Sequence, residues 1–69
     1  MHVEFEYYKN ILCIKNFRQI QHIDSDLIAL REIRVYGKDL KVLRLDKDSI
    51  ILEGYIEKLE MGEEQRHDL

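Results

Sequence analysis

Cys13 and the histidines His2, His22 and His67 are the side chains able to supply a thiol nucleophile and an imidazole base, and two of those histidines stand near the termini. Covalent catalysis needs the nucleophile beside its base, with a third group orienting the base. No third group accompanies Cys13 and His22, so a packed, inert thiol and a histidine at the rim of the fold account for both. His22-Ile23-Asp24-Ser25-Asp26 gathers one imidazole and two carboxylates. A strand would send alternate side chains to opposite faces, and aspartate is a natural turn residue, so the group does not read as a metal site. Asp46, Asp48 and Glu57 match the first, third and twelfth ligands of a calcium loop. Ile50 and Ile51 fill the fifth and sixth places, where that loop requires an oxygen ligand and a glycine. Gly37, Gly54 and Gly62 are too scattered to cradle a phosphate. The expectation is a non-enzymatic chain with no catalytic residue, metal or cofactor.

Binding chemistry is better represented. Arg31, Arg34, Lys38, Lys41 and Arg44 crowd the middle of the chain, and Tyr36 and Tyr55 lie among or close to them. These seven residues form the candidate interaction surface. Basic side chains beside aromatic platforms suit single-stranded nucleic acid. They suit an acidic protein surface equally well. The net charge of −3 favours the protein, because nucleic-acid-binding domains are usually strongly basic. From position 46 onward eight acids face three bases, so the two halves of the chain carry opposite charge.

The elements that must position these residues read as strands. Residues 33–59 hold the strongest signals: Ile33-Arg34-Val35-Tyr36 alternates, Gly37-Lys38-Asp39 reads as a turn, and Leu40-Lys41-Val42 resumes the alternation. Asp46-Lys47-Asp48-Ser49 forms a second turn, and a further run from Ile50 is interrupted by Gly54, the mark of a bulge or a close backbone approach. Near the N-terminus Val3, Phe5 and Tyr7 share one face of a half-buried strand, with Glu4 and Glu6 on the other. Lys9-Asn10 then supplies a two-residue hairpin into Ile11-Leu12-Cys13-Ile14. A third strand falls within residues 18–23. Residues 24–32 admit either a short helix capped by Asp or Ser, or a strand that turns at Arg31-Glu32 or runs straight on into Tyr36.

At 69 residues, with 45% apolar and 36% charged side chains and no proline, the chain is one small folding unit with a thin core. A single cysteine makes no internal disulfide, and no window approaches the roughly 20 apolar residues of a membrane-spanning helix. These features predict an all-β fold: a small antiparallel meander of about six to seven short strands over residues 1–61, followed by a flexible acidic tail at 62–69. The apolar face around Phe5, Ile14, Val35, Val42 and Ile56 is expected either to fold into a sandwich or to be covered by a second copy, giving a homo-oligomer.

The order of these signals resembles the YabP/YqfC family of sporulation proteins, over residues 3–61. Val35-Tyr36-Gly37-Lys38-Asp39-Leu40 is similar to the family's I-x-G-x-x-L, and Leu52-Glu53-Gly54-Tyr55-Ile56 to its I-x-G-x-I. The hairpin before Ile33 is shorter than usual and lacks its glycine, and the longer N-terminal lead of many members is absent. The resemblance implies a cytoplasmic structural or adaptor protein of the mother cell, acting in coat or cortex assembly. It also implies a YqfD-like membrane protein as partner, which would bring the chain to a membrane periphery.

Overall fold

The computed structural model describes residues 3–62, all in strands and their connections. Six strands follow one another: β1 (Glu4–Tyr8), β2 (Ile11–Lys15), β3 (Ile20–Ile23), β4 (Leu27–Leu30), β5 (Ile33–Leu45) and β6 (Ser49–Met61). The fold is all-β, as the alternation predicts. Lys9 and Asn10 take positive φ values of 50° and 68°, the paired left-handed conformation of a tight two-residue hairpin. Tyr7 fastens this turn by donating its hydroxyl to Asn10 Oδ1 at 3.2 Å. Residues 24–32 hold a strand and not a helix. Ile28 and Leu30 face the core with Ala29 covered between them, so the run lacks the exposed polar side that a surface helix would show.

All pairings are antiparallel, and the strand order in the sheet is β1-β2-β6-β5-β4-β3. The expected meander therefore covers β3 to β6 only. After it, β6 pairs on its far side with β2, so the first hairpin joins the sheet through a contact distant in sequence. Gly37-Lys38-Asp39 does not reverse the chain: β5 runs through it, with irregular register against β6 from Tyr36 to Lys41. Asp39 has φ 55° and Gly54, across from it, φ 147°. At Gly54 an added Cβ would lie 2.8 Å from the Asp39 carbonyl oxygen, and at Gly37 one would collide with the carbonyl of Tyr55. Two long strands thus cross the irregularity side by side, where only glycine lets their backbones come so close.

This bend divides one sheet into two layers. The first comprises β1, β2, the early part of β6 and the late part of β5; the second comprises β3, β4, the early part of β5 and the late part of β6. Leu12, Ile14, Ile50 and Leu52 from the first layer join Ile28, Leu30, Ile33 and Val35 from the second in a single core, each at most 1% exposed. Each such side chain contributes about 1.5–3 kcal/mol by leaving water. The chain closes its apolar face by folding over: Ile14 and Val35 are fully buried, Val42 and Ile56 pack against the core, and Phe5 remains 42% exposed. That is the face expected either to fold into a sandwich or to be covered by a second copy.

The connections are tied to the strands beside them. Gly37 and Leu40 N–H groups donate to the carbonyls of Asp26 and Ser25, which docks the β3–β4 turn on the bend. Glu32 is only 3% exposed, and both its carboxylate oxygens accept from the Arg18 N–H at 3.2 Å, which holds the crossing between β2 and β3. Gly62, within the expected tail, is buried and donates its N–H to the Glu32 carbonyl at 2.7 Å. The rest of that tail, 63–69, lies outside the described residues, as do His2 and His67.

Candidate interaction surfaces

Register places most of the predicted surface on the solvent side of β5 and β6. Arg34 stands opposite Glu60, Tyr36 opposite Lys58, Lys38 opposite Tyr55, and Lys41 opposite Glu53, while Arg44 stands opposite Ile51. Arg34 and Tyr36 are neighbours on the second layer, and Lys38 and Tyr55 sit at the bend. Lys41 and Arg44 belong to the first layer. Arg31 stands apart, in the turn between β4 and β5.

The bases on these strands have acids beside them. Arg34 Nη1 lies 3.7 Å from Glu60 Oε1, Lys38 Nζ 3.9 Å from Glu57 Oε2, and Arg44 Nε 3.2 Å from Asp46 Oδ2. Each pair is at least two-fifths exposed, so each is worth well under 1 kcal/mol in water. Their effect is on the field: positive charge is cancelled locally. Tyr36 donates its hydroxyl to Glu60 Oε1 at 2.9 Å, and the Lys58 ammonium sits 5.0 Å from its ring centroid. The hydrogen bond to Glu60, aided by partial burial and the carboxylate charge, raises the phenol above its ordinary value, and Arg34 opposes this. Glu53, Glu57 and Glu60 are thus part of this surface, although sequence reasoning assigned it only bases and tyrosines. Register sets Glu60 opposite Arg34 and Glu53 opposite Lys41, a signal visible only once the two strands are paired.

Among the described residues the catalytic candidates, Cys13 and His22, are not brought together. Cys13 is partly exposed on the outer side of β2, opposite Glu6, and not buried as its apolar run suggested, because alternation gives the core to Leu12 and Ile14. His22 lies on β3 opposite Ala29, on the outer side of the other layer, with Nε2 3.7 Å from Asp24 Oδ2. Three strands separate Cys13 from His22 in the sheet order. Among the described residues no group of three or more His, Cys, Asp or Glu side chains is placed to hold a metal ion. Asp46 and Asp48 stand in the β5–β6 turn, where the Asp46 N–H donates to the Ser49 carbonyl.

A second surface lies at β1, where Phe5 belongs to the apolar face expected from the sequence. Pairing aligns Phe5-Ile14-Ile50-Leu45 and Tyr7-Leu12-Leu52-Val42 as two rows across the inner side of the first layer. The second layer covers the middle of these rows and leaves their ends open, with Phe5 42%, Tyr7 47% and Leu45 47% exposed. On the outer side two shallow hollows of about 180 and 440 Å³ flank Glu6 and Cys13. No helix among the described residues is long and apolar enough to cross a membrane. Comparison of the chain with protein-family models, with curated proteins and with solved structures finds no match.

Proposed function

We propose that this protein is a non-enzymatic adaptor whose solvent face on β5 and β6 binds another protein. The observation that carries this reading is the charge-balanced face itself: tyrosines and an arginine sit among acid–base pairs, with Arg34 against Glu60 and Lys38 against Glu57. Tyrosine and arginine are enriched where protein surfaces meet and supply most of the energetic anchors there. A phosphate backbone instead calls for uncompensated positive charge. In line with the resemblance to YabP/YqfC proteins, we place the adaptor in the mother cell during spore development, in coat or cortex assembly, with a YqfD-like membrane protein as partner.

The test is affinity capture from sporulating cells, membrane fraction included, with the parent chain and a variant carrying Arg34→Glu and Tyr55→Ala. One membrane protein retained by the parent and lost by the variant is the expected result. Equal retention by both chains overturns the assignment of this face. Titration with fluorescent single-stranded DNA or RNA at two salt concentrations decides the rival reading, a nucleic-acid-binding β-module. Strong, salt-sensitive binding there would replace the proposal.

A further inference from the structure

The open sheet has two edge strands, and they are built differently. β3 has four residues with an irregularity between Ile20 and His22, and such a short, bulged edge resists pairing with another chain. β1 pairs with β2 without interruption over five residues, contains no proline and is exposed along its whole length.

The direction of its free hydrogen-bonding groups follows from the neighbouring strand. Asn16 N–H donates to Asp48 O and Asn10 O accepts from Gly54 N–H, so the even-numbered residues of β2 bond to β6. Its odd-numbered residues then face β1, and their partners there are Glu4, Glu6 and Tyr8. The N–H and C=O groups of Phe5 and Tyr7 are left pointing outward. Their rings lie on the inner side, at the open ends of the two apolar rows, while Glu4 and Glu6 lie on the outer side.

We infer that the β1 edge is a site for strand addition, and that its occupant is an extended segment of a partner protein in which apolar residues alternate with Lys or Arg. The apolar residues would meet Phe5 and Tyr7 in hydrogen-bonded pairs and lengthen both rows by one strand. The basic residues would fall opposite Glu4 and Glu6 in the closer, non-hydrogen-bonded pairs, where opposite charges attract most strongly. A second copy of this chain fits less well. Antiparallel pairing of two β1 edges with Phe5 against Tyr7 sets Glu6 directly against Glu6, and like charges in that position are destabilising. The inference rests on the reading of the chain as a binding module but uses a different surface from the one on β5 and β6.

The test uses the unmodified protein and three labelled peptides: four Val-Lys repeats, the same peptide with its valine nitrogens methylated, and four Val-Glu repeats. Binding is read by fluorescence anisotropy, and its location by the NMR signals and hydrogen exchange of the Phe5 and Tyr7 amides. The Val-Lys peptide should bind and slow exchange at both amides. Methylation keeps the charge but removes the donors, and should weaken binding at least tenfold. The acidic peptide should bind at least about fivefold more weakly than Val-Lys. Equal binding of the methylated peptide, shifts confined to other strands, or protection of these amides by self-association without peptide would each overturn the inference. Failure of the β5–β6 surface in cells would leave these amide signals unchanged, so the two proposals stand or fall separately.

Discussion

Replacing Gly54 with alanine tests the bend on which the two layers depend. The φ of 147° is a conformation that residues with a side chain rarely adopt, and holding one there costs about 1–3 kcal/mol. The new Cβ would also lie 2.8 Å from the Asp39 carbonyl oxygen and 3.0 Å from Leu40 Cα, both backbone atoms that cannot move without disturbing β5. Together these effects should cost about 2–4 kcal/mol. A chain of this length is stabilised by only about 3–10 kcal/mol, so the variant would sit close to unfolding. Urea unfolding followed by far-ultraviolet circular dichroism measures this directly. With a slope of about 1 kcal/mol per molar urea, the midpoint should fall by about 2–4 M. Lys41→Ala, at an exposed strand position, serves as control and should change stability by no more than about 0.5 kcal/mol. If Gly54→Ala were as harmless as the control, β5 and β6 could not approach at the bend as described.

Two other expectations follow from buried and paired polar groups. Glu32→Ala strips the Arg18 N–H of its buried acceptor and should lower stability by about 1–3 kcal/mol in the same unfolding assay, whereas an unchanged midpoint would mean that the β2–β3 crossing is held by other contacts. Tyr36 has a folded-state pKa raised by its hydrogen bond to Glu60, so the folded protein favours the neutral phenol. That contribution is complete below the ordinary tyrosine range and is lost as pH climbs through it toward the raised value. Tyrosinate absorbance, with Tyr36→Phe to assign the signal, should show Tyr36 ionising above the ordinary tyrosine range, and Glu60→Gln should bring its titration down.

What was legible in the sequence is what neighbouring residues decide. Alternation marked the strands, Lys9-Asn10 gave the first hairpin, and residues 46–49 gave the turn between β5 and β6. Gly37-Lys38-Asp39 misled because glycine beside aspartate has the composition of a reversal, and whether the chain reverses depends on the strand opposite. The pairing of β2 with β6 left no local trace, since residues such as Leu12 and Leu52 meet across most of the chain. Leu27-Ile28-Ala29-Leu30 read ambiguously because a short apolar run covered on both sides carries neither helical nor strand periodicity. The interaction surface was found by half for the same reason: its bases and tyrosines cluster in sequence, but the acids that balance them arrive from β6.

Both layers are made from the same two long strands, with the bend at their middle. Neither layer can therefore loosen while the other stays intact, because peeling β5 from β6 at one end removes neighbours that the opposite end packs against through the shared core. A molecule built this way has no internal seam. It should melt as one unit, with the amides at the centre of β5 and β6 exchanging with solvent only when the whole chain comes apart.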